Sequence, residues 1–344
     1  MSRAFLQRNN TASNRQMIIA SMPNGPLQPS NFQLQVQSDM QELKDGEVRL
    51  KTLAITIGAG QRAGLQGSAS YLANKPGDAQ VMNGTGVGTV VESKDMNFKV
   101  GDVVMGGGGW QEFATLPGKA LTKVPPGVDP AMQLGLLGTN GLTAYFGLLD
   151  IGMPKAGETV LVSAASGSVG HIVGQIAKIK GCYVVGTAGS DEKCQRLIDE
   201  LGFDQAINYK SDDFRNLLKA ATPKKIDVYF DNTGGKILQS ALFRMNTFGR
   251  IVCCGNVSQY DTSTPGGGPK GVPGMLVNNQ VKMQGFIVYS YAKQYEHARQ
   301  EMVGWANEGK LVGWSTEYQG MERAPHAFID MLNGVTKGTT IVRF

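Results

Sequence analysis

A chain of 344 residues with 41% hydrophobic and 18% charged residues has the composition of a soluble globular protein and enough length for two cores. Its net charge of +5 is spread along the chain without a basic run, which argues against a nucleic-acid or membrane partner. Four cysteines in no C-x-x-C pair and only three histidines argue against a disulfide framework and leave little for a metal site, so a reducing cytoplasm is the expected compartment.

The opening MSRAFLQRNN lacks the apolar stretch of a secretory signal. From Gln33 to about Pro126, alternating or β-branched runs such as EVRLKTLAITI, GVGTVVES and GDVVMG, bounded by glycines and VPPGVDP, predict a mostly-β unit. Residues 134–150 are strongly apolar. They fall short of the ~20 residues of a membrane span and are broken by Thr139, Asn140 and several glycines, so a buried interdomain helix is expected. From about Leu136 the rhythm changes. TVLVSAA predicts a strand, VGHIVGQIAKIKG a helix closed by Gly181, and CYVVGTA a second strand. SDEKCQRLIDELG predicts a helix with Ser190 as N-cap and Gly202 at its end. The strands DQAINY and IDVYFD, a helix around GKILQSALFRM and the strand GRIVCCG follow, and this alternation predicts βαβ units on a parallel sheet. TSTPGGGPKGVPG, residues 262–274, is a Gly/Pro-rich loop at a strand's carboxyl end, either a linker or a lid. VKMQGFIVY, a helix near residues 296–309 and TTIVRF then close the α/β part and return to the β unit.

Within VLVSAASGSVGHIVGQIAK, residues 160–178, Ala165, Gly167 and Gly170 hold the three spaced positions of G-x-G-x-x-G. The stretch follows a predicted strand, opens a helix and precedes a second strand about 20 residues on, as a dinucleotide loop does. Gly167 lets the backbone approach a pyrophosphate, Gly170 lets helix and strand pack closely, and the helix N-terminus offers free N–H groups to phosphate. Alanine in the first position needs only a turn that avoids positive φ. A plain βα turn is the competing reading, and the context favours the phosphate cradle. Where an NAD site places Asp or Glu, at the end of the second strand, this chain has Thr187, Ala188 and Gly189. Asp191 and Glu192 come later, where they suit a helix dipole. Lys193 is either the partner of an adenosine-ribose phosphate or a solvated helix lysine, and the missing acid beside it favours NADPH.

Every histidine and cysteine lies after Leu136, so the β unit offers no such metal ligand and no metal is expected. Cys253 and Cys254 read as core thiols, and SAASGSVG is not G-x-S-x-G. Tyr260 in CCGNVSQYD falls at the carboxyl edge of the sheet. A phenol of pKa ~10 stays protonated at neutral pH and can donate to an oxyanion; packing under the Gly/Pro loop is an equal alternative.

GLTAYFGLLDIGMPKAGETVLVSAASGSVGHIVGQIAKIKGC, DVYFDNTGGKIL and GRIVCCGNVSQYD together resemble the medium-chain dehydrogenase/reductase superfamily. Within it they are similar to the zinc-independent leukotriene/prostaglandin-reductase branch, which includes bacterial curcumin reductases and plant double-bond reductases. The resemblance runs from RQMIIASMPNGPLQPSNFQL to GTTIVRF. It implies an α/β fold: a Rossmann doubly wound parallel sheet over residues 137–305, plus a mostly-β GroES-like catalytic domain from residues 1–136 and 306–344. The branch's A-x-x-G-x-x-G loop falls on Ala164, Gly167 and Gly170, with Ser168 and Val169 between the glycines. The resemblance implies NADPH contacts from Lys193 and Tyr209 at the ribose phosphate. It places Asn232, Cys254, Gly255, Val257 and Ser258 along the cofactor, Phe286, Ile287 and Val288 beside the nicotinamide, and Thr336 where the branch has Asn. Gly84-Thr85-Gly86 stands where zinc-dependent relatives carry Gly-His-Glu. The implied reaction is hydride transfer to the β-carbon of a small α,β-unsaturated ketone or aldehyde, with Tyr260 as the donor to the developing oxyanion. A homodimer is implied as well.

Two departures stand out. The branch's YLSLDPYMRGRM reads here as TLAITIGAGQRA, residues 52–63, so Asp-Pro-Tyr-Met-Arg becomes Thr56-Ile57-Gly58-Ala59-Gly60, which predicts a wider pocket lacking a tyrosine and an arginine. Asp261 replaces the usual Asn after the loop tyrosine. Quinone reduction and a non-catalytic NADPH-binding role are the competing functions.

Overall fold

Antiparallel pairing of β1 (Asn14–Ile19) with β2 (Phe32–Gln37) opens the chain. The computed structural model describes residues 13–67, 77–262 and 268–344, so the start of the chain and the core of the Gly/Pro-rich loop lie outside the described residues. The long strand β3 (Glu47–Ile57) coincides with EVRLKTLAITI and leads into the short helix α1 (Ala59–Leu65). Strands β4 (Gly86–Ser93), β5 (Val103–Gly106), β6 (Phe113–Pro117) and β7 (Thr122–Lys123) follow, then the short helix α2 (Pro130–Leu134). β3 is the hub, pairing antiparallel with both β4 and β6.

The apolar stretch 134–150 is buried but is not one helix. The chain breaks over residues 135–138, forms α3 (Thr139–Phe146) and runs into a π-helical turn at Gly147–Gly152. Glycine allows the break: a Cβ on Gly141 would sit 1.7 Å from the carbonyl oxygen of Leu136.

The α/β unit then runs β8 (Thr159–Val162), α4 (Gly170–Ile179), β9 (Tyr183–Ala188), α5 (Asp191–Leu201), β10 (Gln205–Asn208), α6 (Phe214–Ala221), β11 (Ile226–Asp231), α7 (Gly235–Leu242), β12 (Met245–Cys253), α8 (Val272–Asn279) and β13 (Lys282–Gly285). The strand order is β10-β9-β8-β11-β12-β13, all parallel. That order is two mononucleotide-binding halves joined back to back. Val160, Leu161 and Val162 are wholly buried, as a strand covered on both faces requires. One face packs on α3, α4 and α5, the other on α6 and α7. Local signals place the helix ends: the Ser190 hydroxyl accepts from the Lys193 N–H at 3.3 Å, and Gly202 turns left-handed at φ +69°.

After α9 (Tyr295–Asn307), strand β14 (Ser315–Gln319) pairs parallel with β15 (Thr339–Arg343), with α10 (Ala324–Leu332) between them. β15 pairs antiparallel with β3, so the C-terminus completes the β unit. The core changes hands twice: Leu134 packs with Ala54, Val87 and Ile341, whereas Leu136, Leu311 and Trp314 pack with the α/β unit. We propose these crossings, near residues 135 and 315, as the domain boundaries.

Candidate active site

All six parallel strands end on one edge, and their order reverses between β8 and β11, where a crevice forms in such sheets. The two strand ends are laced together. The Asn232 N–H donates to the Ser163 hydroxyl at 2.9 Å, and its amide Nδ2 donates to the Ser163 carbonyl at 2.7 Å. The buried Asp231 carboxylate accepts from the Thr233 and Gly234 N–H groups at 3.0 and 2.8 Å, shaping the turn that presents Asn232. Burial raises its pKa, against the pull of these hydrogen bonds. The N–H groups of Cys254 and Gly255 donate to the Asp231 carbonyl, that of Val257 to Asn232, and that of Ser258 to Thr233. Asn232, Cys254, Gly255, Val257 and Ser258 therefore share one rim. Burial pushes the Cys254 thiol up to about 12, which fits a packed thiol and not a nucleophile.

The glycine loop shows why its residues differ. Ala165 avoids positive φ, but its neighbour Ala164 takes φ +47°, at a cost of about 1 kcal/mol. A Cβ on Gly170 would stand 2.3 Å from the Ala164 oxygen and 2.8 Å from the Ala165 Cα, so only glycine lets α4 start there. Gly167 is different. It is not left-handed, and a Cβ there would meet only the Ala164 oxygen, at 3.2 Å. The fold leaves room on its outer side, and that open side beside Ser168, Val169 and the start of α4 fits a pyrophosphate.

His171, which the sequence reading left unassigned, holds this loop from behind. Wholly buried, it donates from Nδ1 to the Gly167 carbonyl at 2.7 Å and accepts at Nε2 from the Trp314 N–H at 3.0 Å. The Gly338 N–H donates to the Ser166 carbonyl at 2.8 Å. Burial pushes His171 down to about 4, from an unfolded value near ~6.5. Because the folded value is the lower one, its contribution is complete above about pH 6.5 and is lost as pH falls towards 4. That difference corresponds to about 3 kcal/mol. We expect Tm to fall between pH 7 and pH 5, with a shallower slope in a His171→Gln variant; equal slopes would remove His171 as the cause.

In the first turn of α5, just past β9, the Lys193 ammonium donates to the carbonyls of Gly334 and Thr336, at 2.5 and 2.6 Å. Burial lowers its pKa, and Lys210 adds to the shift. Tyr209 and Lys210 flank Gly189: a Cβ there would lie 3.5 Å from the Tyr209 ring and 3.6 Å from the Lys210 Cε. Positive charge thus gathers where an NAD site keeps a carboxylate, and this donor set fits a phosphate. Lys210 was legible in the same NYK triplet that points to Tyr209. Thr336 is buried, and its hydroxyl accepts from Thr340 at 3.1 Å. Beyond β13, Phe286 packs against Gly147 and Val288 is in the core, leaving Ile287 as the exposed side chain of the three.

Tyr260 follows a short turn, Val257–Gln259, at the end of β12. Its hydroxyl accepts from the Asn256 N–H at 3.3 Å, and among the described residues nothing accepts its proton. Burial raises its pKa, so the phenol stays protonated at neutral pH. Just past the altered Thr56–Gly60 stretch, Arg62, on α1, is 1% exposed, and its Nε donates to Asp261 at 2.8 Å. At the Gly84-Thr85-Gly86 position, the Thr85 carbonyl accepts from the Thr56 N–H at 3.0 Å. Among the described residues no three His, Cys, Asp or Glu side chains are grouped to hold a metal ion.

Residues 15–124 match the family described as the N-terminal domain of oxidoreductase, and residues 168–306 the family described as zinc-binding dehydrogenase. The chain is 39% identical to the NADPH-dependent curcumin reductase of Escherichia coli (strain K12), over 96% of each chain. It is 43% identical to prostaglandin reductase 1 of Mus musculus, over 91% of this chain and 94% of that protein. The structure of CurA from Vibrio vulnificus in complex with NADPH matches with a TM-score of 0.90 and 38% identity, over 96% of this chain and 98% of that one. With both units matched in sequence and the parallel sheet, glycine loop and returning C-terminal strand in place, the chain belongs to the medium-chain dehydrogenase/reductase superfamily, in its zinc-independent double-bond-reductase branch.

Proposed function

We propose that this protein reduces the carbon–carbon double bond of small α,β-unsaturated ketones and aldehydes with NADPH. The observation that carries the reading is the protonated Tyr260 phenol, whose proton no described residue accepts, at the strand edge that also bears the open glycine loop. NADPH, when bound, supplies the hydride that goes to the substrate's β-carbon. The loop at Gly167 and the start of α4 hold its pyrophosphate, while Lys193, Tyr209 and Lys210 hold the ribose phosphate. Tyr260 donates a hydrogen bond to the carbonyl oxygen as negative charge builds there. The same reading carries a homodimer in the cytoplasm. Four unpaired cysteines suit a reducing compartment, and no helix among the described residues is long and apolar enough to cross a membrane.

Following NADPH absorbance with a panel of enones, enals and quinones tests the proposal. Enone-dependent oxidation that prefers NADPH to NADH is expected. Quinone turnover without enone turnover would replace it with the quinone-reductase reading, and cofactor binding without turnover would leave a binding protein. In the same assay Lys210→Ala is expected to raise the NADPH KM by about tenfold and leave the NADH KM unchanged, because one charge-assisted hydrogen bond to phosphate is lost. Equal changes for both cofactors would remove Lys210 from the phosphate site.

A further inference from the structure

Tyr260 is carried by the α/β unit, yet the residues on either side of it are tied to the β unit. On one side, the Gln259 carbonyl accepts from the Gln66 amide at 3.0 Å. On the other, the Asp261 carboxylate accepts from the Arg62 Nε at 2.8 Å and from the Leu27 N–H at 2.6 Å. Arg62 is itself anchored through Nη2 to the Gly25 carbonyl at 2.6 Å, and α1 through Gln61 to the Asn83 carbonyl at 2.7 Å. Among the described residues of its own loop, Tyr260 has only the bond from its N–H to the Val257 carbonyl and the long contact at its hydroxyl. Asp261 also takes φ +57°, a left-handed turn that Asp and Asn tolerate and β-branched residues do not. Among the described residues, Arg62 Nη1 and Gln66 Oε1 are buried without hydrogen-bond partners, a cost the chain bears at this junction.

We infer that Arg62 and Asp261 are a positioning pair that sets the Tyr260 hydroxyl, fixed on one unit, against a substrate pocket framed by the other. The inference rests on the reading of Tyr260 as the oxyanion donor. It assigns a role to one place where the chain departs from its branch, the acid after the loop tyrosine, and to Arg62, which lies just past the rebuilt Thr56–Gly60 stretch. The two side chains touch neither the reacting carbons nor the oxyanion; they act by fixing the donor's position. A donor displaced by about 1 Å can lose most of its effect on the transition state.

The experiment measures kcat, KM and NADPH Kd for Asp261→Ala and Asp261→Asn, each in the wild-type and Tyr260→Phe backgrounds, with an enone acceptor. Asp261→Asn keeps the accepting oxygen and the left-handed turn, so it is expected to stay within about threefold of wild type. Asp261→Ala is expected to lower kcat on the order of tenfold with NADPH Kd unchanged, and to cost almost nothing further when Tyr260 is already Phe. An equal loss in both backgrounds, or full activity in Asp261→Ala, would overturn the pair as a positioning device. Should Asp261→Ala fail to fold because Arg62 is left buried and unpaired, Gln66→Ala cuts the tie on the other side of Tyr260 and is read by the same two-background comparison. Full rate in Tyr260→Phe alone is a separate result: it sinks the donor reading, whereas equal losses in both backgrounds sink only the pair.

Discussion

Gly170→Ala is expected to lower Tm by several degrees, and Gly167→Ala to leave Tm nearly unchanged while weakening NADPH binding by tenfold or more. Both glycines belong to one loop, but the space around them differs. At Gly170 the new methyl would be 2.3 Å from a backbone oxygen and 2.8 Å from a backbone carbon, and neither can swing aside as a long side chain would. The strain must be taken up by lifting α4 away from β8, whose core contacts are wholly buried. Overpacking of this kind costs about 1–3 kcal/mol or more, and each kcal/mol is worth about 2–4 °C in a domain of this size. At Gly167 the methyl meets only one oxygen, at 3.2 Å, so the fold gives way by a few tenths of an ångström. What the methyl occupies there is the approach of the pyrophosphate. Thermal melts without cofactor and an NADPH titration of both variants decide the matter. If Gly167→Ala binds NADPH as wild type does, the loop is a βα turn and not a phosphate cradle.

That contrast also marks how far the sequence could be read. The strands and helices of the α/β unit were legible because their signals are local: a run of Val and Leu, a Ser190 cap, a Gly202 end. The pairs that hold the site together are not local. His171 meets Trp314 across 143 positions, Lys193 meets Thr336 across the same separation, and Arg62 meets Asp261 across 199. No periodicity encodes a contact at that range. One departure in the sequence, the acid in place of an amide after the loop tyrosine, finds its partner only in the fold, where Arg62, just past the altered Thr56–Gly60 stretch, takes the carboxylate of Asp261. The break at residues 135–138 escaped for a different reason. Its glycines read as interruptions in a helix, while the close approach of Gly141 to the Leu136 carbonyl exists only in the folded chain.

Tyr260→Phe is expected to lower kcat on enones by about a hundredfold while leaving NADPH Kd and Tm close to wild type. The ring is half-buried and phenylalanine keeps its packing, so the change removes one hydroxyl. Structurally that hydroxyl contributes a single acceptor to the Asn256 N–H, at a long 3.3 Å. Its proton is the part with chemical use: no described residue accepts it, and burial holds the phenol's pKa above its ordinary value. Removing one preorganised donor to an oxyanion costs about 10²–10³ in kcat. The pH dependence follows from the same shift. A pKa raised above the ordinary ~10 keeps the donor protonated through neutral and mildly basic solution, so kcat should be flat to about pH 9, with no basic limb assignable to this group below that. A quinone gives the converse test, because its reduction needs the hydride and an open pocket but leans less on a dedicated donor. Loss of enone turnover with quinone turnover retained places the hydroxyl on the carbonyl oxygen. Equal losses on both acceptors, with Kd and Tm intact, would instead show that the hydroxyl orders the site as a whole.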